Sequence, residues 1–282
     1  MLEDEEFIQY RSIILGMAQD IIQICGEHGL KYALGGGSAL GAIRHSGFIP
    51  WDDDFDILMP RQDYEKLIQI LEETRSEQYW LHTPQKTADY GMLFLQIRKK
   101  GTVACGRDEF SEDERGICLD VFPIENTFDF KPLRLFHGMV SLFLCFVVSC
   151  NKFYRHQDHI LKFALGSKEL EKTIKKKALL GKCFSFLSLT SWAKLTDGWH
   201  CIIKSNKTKM VTVPSGRKHY FGEIYYRDAF IETDIAEFEG HHWNVPRDIE
   251  GYLTQLYGNY MQIPPEDERE KHVFLKVEFP KS

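Results

Sequence analysis

Residues 35–56 read GGGSALGAIRHSGFIPWDDDFD, three glycines and a serine followed within one short segment by four aspartates in five positions. Carboxylates this close repel one another, which raises their proton affinity or opens the loop unless a cation neutralises them. A hard divalent ion does so, and Mg²⁺ held by one or two carboxylates and by substrate phosphates is the usual arrangement. The glycines supply the other half. Residues 31–34 are predicted to form a short strand feeding them, and residues 38–44 a short helix opened by a Ser38 cap. The unpaired N–H groups at a helix start carry the positive end of its dipole, and glycines let an anion approach them closely. The segment points to phosphate chemistry.

Outward from it, apolar residues at Phe7, Ile8, Ile14, Met17, Ile21, Ile22 and Cys25 recur near a helical repeat, predicting a helix over 6–28 that Gly29 stops. Beyond Pro50, residues 55–59 read as a strand, so the two-residue period puts Asp54 and Asp56 on one face. A helix over 63–71 follows, then strands over 93–98 and 117–122. The second of these, within ICLDVFPI, carries Asp120 in an apolar setting. A buried carboxylate is costly unless paired or metal-bound, and beside a metal-binding DxD it reads as catalytic. The fold class is α/β (α+β) with a short mixed sheet.

Other motif classes fail on particular residues. A Walker loop needs GK[ST] after its glycines, and this chain has GGGSALG. An EF-hand loop starting at Asp52 would place Ile57 where glycine is required and Asp63 where glutamate is required. A nucleotide-sugar glycosyltransferase would use a DxD but gives no reason for the glycine-serine turn upstream.

Apolar strand, Gly-Ser, helix, DxD and a later single aspartate on another strand together resemble the polymerase-β-like nucleotidyltransferases. The wording GGGSALGAIRHSGFIPWDDDFDILMPRQDYEKL, with GICLDVFPI after it, resembles the LicD family, whose relatives include the fukutin group. The likeness runs from about Tyr32 to Phe122. It recurs in WNVPRDIEGYLTQLYGNYMQIPPEDERE and the Lys271 and His272 that follow. The resemblance implies that Gly36, Gly37 and Ser38 hold phosphates and that Asp54 and Asp56 ligate Mg²⁺ (or Mn²⁺). It makes Asp120 the third carboxylate, completing the metal site or activating the acceptor hydroxyl. Arg44 and His45 stand where the family also has Arg-His, and an Arg fork beside a diphosphate makes physical sense. Asp52 would orient the loop or a metal-bound water, leaving Asp53 as the spare.

The activity so implied is transfer of phosphocholine from CDP-choline to a hydroxyl of a glycan or a lipid-linked teichoic-acid precursor, with release of CMP. Ribitol or glycerol phosphate from another CDP-alcohol, a plain nucleotidyl transfer, or nucleotide binding without turnover are the alternatives. A quaternary ammonium is held by aromatic faces, and the candidates are Tyr220, Phe221, Tyr225, Tyr226, Trp243, Tyr252, Tyr257 and Tyr260. The segments WNVP and LYGNY are expected as a loop and then a helix over the site.

The middle of the chain differs. Residues 131–218 hold 17 Lys and Arg against 4 Asp and Glu, a net +13 that leaves −19 for the rest of a chain whose total is −6. They include LFHGMVSLFLCFVVSC at 135–150, which is shorter than the roughly 20 residues of a membrane span. It reads first as a buried helix, second as a helix docked on an anionic membrane surface, and last as a span. Three regions follow: 1–130 as nucleotidyltransferase core, 131–218 as a basic, apolar, mainly helical insert, and 219–282 as the segment completing core and substrate site. Seven cysteines without a CxxC pair suggest neither a disulfide framework nor a zinc site. The acidic start MLEDEE lacks a signal-like apolar run, so a cytoplasmic location, peripheral at the inner face of the membrane, is expected. The basic stretch carries no nucleic-acid reader motif, and no nucleic-acid partner is expected.

Overall fold

The computed structural model describes residues 4–107, 114–164, 166–269 and 273–279. Lys271 and His272 lie outside them. Helix α1 (Asp4–His28) buries Tyr10, Ile14, Met17, Ile21 and Cys25 along one face and ends at Gly29, whose φ of +63° is the left-handed stop. Ile8, expected on that face, is exposed, and Tyr10 takes its place. Then come β1 (Ala33–Leu34), α2 (Gly36–His45), β2 (Asp56–Pro60), α3 (Arg61–Thr74), β3 (Tyr79–His82), β4 (Leu95–Lys99), β5 (Val103–Cys105) and β6 (Cys118–Asn126).

These strands make the mixed sheet in the order β1-β2-β6-β4-β3. Strands β2 and β6 run parallel with Asp56 opposite Asp120, and β4 runs antiparallel to β6 with Gln96 opposite Asp120. Leu34, Ile57, Met59, Leu67, Leu95, Ile97, Leu119 and Val121 are fully buried, so sheet, α1 and α3 share one core. The expected strand boundaries shift by one to four residues. Strand β6 is the most extended of them, because its far end, Glu125 and Asn126, pairs with a later strand.

The 131–218 stretch begins with α4 (Lys131–Arg155), α5 (Gln157–Leu161), α6 (Lys168–Cys183) and α7 (Leu189–His200). Its end rejoins the sheet: β7 (Met210–Thr212) pairs with β6 and then with β8 (Ile224–Tyr226), the two strands being separated by the single turn α8 (His219–Gly222). Helix α4 has 25 residues, so the helix outruns the apolar run read from sequence. It buries His137, Ser141, Leu144, Val147, Val148 and Asn151 and leaves the opposite face exposed. A Cβ at Gly181 of α6 would lie 2.0 Å from the Cys150 carbonyl oxygen, so glycine lets the two helices touch backbone to backbone.

After α9 (Arg227–Ile231), β9 (Thr233–Phe238) and β10 (His241–Pro246) form a hairpin turned by Glu239 and Gly240, both at positive φ. The WNVP stretch, expected as a loop, is therefore strand β10. Alternation explains it: Trp243 and Val245 point inward, and Trp243 joins Phe48, Phe55 and Phe238 in an aromatic cluster with centroid spacings of 4.9–5.6 Å between touching rings. The LYGNY stretch begins in α10 (Ile249–Tyr257), as expected, and β11 (Lys276–Glu278) pairs with β5.

Candidate active site

The glycine turn and the aspartates meet where β1, α2 and β2 converge. Gly35 caps α2 in an extended conformation and donates its N–H to the Asp56 carbonyl at 2.9 Å. The expected Ser38 cap is not what opens this helix. Ser38 lies inside the first turn, buried, and its hydroxyl accepts the Asp56 N–H at 2.9 Å. Ser38 thus fixes the start of β2 relative to α2. Asp120 is held in the same way, its N–H donated to the Phe55 carbonyl at 3.0 Å.

Paired residues on neighbouring strands put their side chains on one face, about 4.8 Å apart. Asp56 and Asp120 are such a pair. A Cβ at Gly36 would lie 2.4 Å from Asp56 Oδ2, and one at Gly37 would lie 2.5 Å from Asp52 Oδ2. Gly36 also has φ +43°, so both its backbone and its surroundings demand glycine. Two carboxylates are thereby pressed against the positive end of α2, where that charge is stabilised.

The other aspartates occupy distinct places. Asp54 precedes β2, so strand alternation does not fix its direction. Asp53, expected as the spare, is the most buried of the four and acts electrostatically on Arg11. Arg11 of α1 donates to the carbonyls of Ile49 and Asp52, clamping the loop. Arg44 donates to the Tyr260 carbonyl at 2.7 Å and from Nε to His45 at 2.9 Å. Its guanidinium thus holds the segment after α10, and burial followed by the Arg44 charge lowers the His45 pKa.

Helix α10 closes the site. Tyr252 Oη accepts the Gly36 N–H at 2.8 Å. The Tyr257 hydroxyl is pushed well above its ordinary value by burial and then by Asp56, Asp52 and Asp54, while Arg217 opposes the shift. Arg217 lies with its guanidinium carbon 5.4 Å from the Tyr257 ring centre. Among the aromatic candidates for a choline cage, Tyr257 therefore borders the aspartates, whereas Tyr252 is buried with its ring against Tyr225 and Phe230 and reaches the site only with its hydroxyl at Gly36. Tyr220, Tyr225 and Trp243 belong to the interior, where Tyr220 meets Thr127 and His137 and Tyr225 stacks on Phe230 at 4.1 Å.

Sequence reading did not single out Arg217 or Glu223. Both lie in SGRKHYFGE, where a cation is one among many. Glu223 is buried and accepts the Lys218 N–H at 2.8 Å, and a Cβ at Gly216 would lie 2.4 Å from its carboxylate, so it shapes the turn bearing Arg217. Burial pushes its pKa up to about 7, against the Lys218 hydrogen bond and the Arg217 and Lys218 charges. A carboxyl that binds its proton more tightly when folded stabilises the fold fully below its unfolded pKa and loses that contribution as pH rises through the folded value. Glu223→Gln, which keeps an acceptor for Lys218, is expected to match the parent near pH 4 and to exceed it by about 3 kcal/mol above pH 8. Urea unfolding against pH measures this, and parallel curves for the two proteins would remove the buried-charge assignment.

Asp56 and Asp120 offer hard oxygen donors suited to Mg²⁺ or Mn²⁺. Among the described residues no three or more of His, Cys, Asp and Glu gather into a metal-holding group. The donor set fits an ion that rests on one or two carboxylates and completes its shell with phosphate oxygens and water.

Residues 29–131 match the family model LicD/FKTN/FKRP, nucleotidyltransferase domain. The lipopolysaccharide cholinephosphotransferase LicD of Haemophilus influenzae is 29% identical over 262 residues, 88% of this chain and 89% of that protein. An uncharacterized protein of Rickettsia prowazekii is 36% identical over 76 residues, 25% of this chain and 29% of that one. The matched domain contains the glycine turn, all four aspartates of the loop and Asp120, and the likeness to the Haemophilus protein extends over most of the chain: residues 29–131 carry a LicD-type nucleotidyltransferase domain.

Proposed function

We propose that this chain transfers phosphocholine from CDP-choline to a hydroxyl of a lipopolysaccharide-type glycan or a teichoic-acid precursor, releasing CMP at the cytoplasmic face of the membrane. The observation that carries the reading is the Asp56–Asp120 pair on adjacent parallel strands, set against the glycine start of α2. The Haemophilus relative, a cholinephosphotransferase by name, supports the choice of transferred group.

In this reading the acceptor oxygen attacks the phosphorus that bears choline, the bond from that phosphorus to the bridging oxygen breaks, and CMP departs with the bond's electrons. Gly36 and Gly37 let the Asp56 and Asp52 carboxylates lie close against the start of α2, facing the diphosphate. Asp120 receives the acceptor's proton. Arg217 neutralises charge building on the leaving phosphate. Mg²⁺, which Asp56 and Asp120 would hold, would supply neutralisation of the diphosphate charge. Tyr257 offers the aromatic face that a quaternary ammonium seeks.

The test is a donor panel. Purified chain with Mg²⁺ and a dephosphocholinated glycan acceptor is incubated with CDP-choline, CDP-ribitol, CDP-glycerol or a nucleoside triphosphate. CMP release with CDP-choline exceeding the other donors is expected. Preferential turnover of CDP-ribitol or CDP-glycerol would replace the donor, and pyrophosphate release from a triphosphate would replace the reaction.

A further inference from the structure

Helix α4 leaves a face that the core does not cover. Leu135, Phe136, Met139, Phe143 and Phe146 recur at helical spacing and are 44–56% exposed. No polar side chain interrupts them, and at 1.5 Å per residue the stripe extends over about 17 Å. Farther along, the helix is covered by α6 at the Gly181–Cys150 contact, so this half alone stands open. Phe186, 72% exposed in the turn before α7, prolongs the apolar surface through Trp192 and Phe184 to Phe143. A continuous apolar surface of this kind marks an interaction site.

Charge selects the partner. Neither residues 131–157 nor residues 172–196 contain an Asp or Glu, whereas Lys131, Lys172, Lys175, Lys176, Lys182 and Lys194 are exposed there. We propose that the open face of α4 docks on an anionic lipid bilayer, apolar side chains entering the headgroup boundary and the lysines pairing with acidic headgroups. Nucleic acid would contact the lysines but not the aromatic stripe.

The helix lies on the bilayer rather than crossing it, although α4 is long and apolar enough for a span. Its other face is committed to polar contacts: Ser141 with His200 at 2.8 Å, His137 with the Trp199 carbonyl at 2.9 Å, and Asn151 donating to the Phe184 carbonyl at 2.9 Å. A span would expose those groups to hydrocarbon.

Flotation of the full chain with phosphatidylcholine vesicles, with and without phosphatidylglycerol, tests the proposal. Binding to the anionic vesicles that weakens with salt is expected, and Phe136→Asp/Phe143→Asp should reduce it at least about tenfold with the thermal midpoint unchanged. Should that double variant fail to fold, Phe143→Ser carries the same expectation with a smaller reduction. Absence of flotation at low salt, or variants that float like the parent, overturns it. So does a parent that ignores vesicles and sediments as a dimer that the variants dissociate, which would assign the face to a second copy of this chain.

Discussion

Asp56→Asn is expected to lower CMP release by about 10²–10³-fold, the scale for losing one preorganised electrostatic group, with no measurable change in unfolding free energy. The separation of the two effects follows from which atoms do what. The N–H of Asp56 bonds to Ser38 and its carbonyl accepts from Gly35, and both bonds belong to the backbone, so the amide side chain leaves them in place. Lost is one negative oxygen beside Gly36, a position where no larger neighbour could compensate. Asp120→Asn should give a loss of similar size. If the pair acts as a unit, the double variant should be little worse than either single one. Asp54→Asn should lower turnover less, because Asp54 stands outside β2 and no third carboxylate gathers with the pair among the described residues. Undiminished turnover in Asp56→Asn at saturating CDP-choline would sink the assignment of the carboxylate pair.

What could be read from the residues alone was the chemistry; what could not was the adjacency. Gly36, Asp56 and Asp120 each stood out because their types are costly or unusual where they occur. That Asp56 sits opposite Asp120 depends on β2 and β6 being parallel neighbours, a pairing between residues 64 apart that no local pattern encodes. Ser38 was legible as a helix-start residue, yet Gly35 caps α2 and Ser38 reaches across to β2, because the hydroxyl of a buried serine goes where a backbone N–H needs an acceptor. Strand β10 was missed because WNVP carries a proline and an asparagine that read as turn chemistry, while burial of Trp243 and Val245 decides the matter. Arg217 was hidden by composition: in a basic stretch one cation looks like its neighbours, and its place beside Tyr257 is set by the fold. The apolar run in α4 was legible as apolar, but its two-sided character required knowing where α6 and α7 pack.

Arg61→Met should unfold the protein more readily, by about 3–5 kcal/mol, the scale for breaking a buried ion pair from one side. Arg61 opens α3 and is 8% exposed; Glu125 of β6 and Asp197 of α7 are 1% and 3% exposed. Its guanidinium donates to Glu125 from both Nε and Nη2, and from Nη2 to Asp197 at 2.8 Å. Removing it leaves two carboxylates facing one another inside the fold, with Gln85 donating to Asp197 at 2.7 Å as partial compensation. Urea unfolding measures the loss, and a change below about 1 kcal/mol would mean that water or protonation satisfies the acids. Arg61→Lys should fall between, since it keeps the charge and gives up the two-point grip on Glu125. The triad also joins parts of the chain that differ in character, because Glu125 lies on the strand that carries Asp120 while Asp197 lies on a helix packed against α4. Activity in Arg61→Met should therefore decline in proportion to the unfolded fraction and recover on cooling towards the temperature of maximal stability. Asp56→Asn should show neither behaviour, and that contrast distinguishes a residue that holds the sheet together from one proposed to hold the metal.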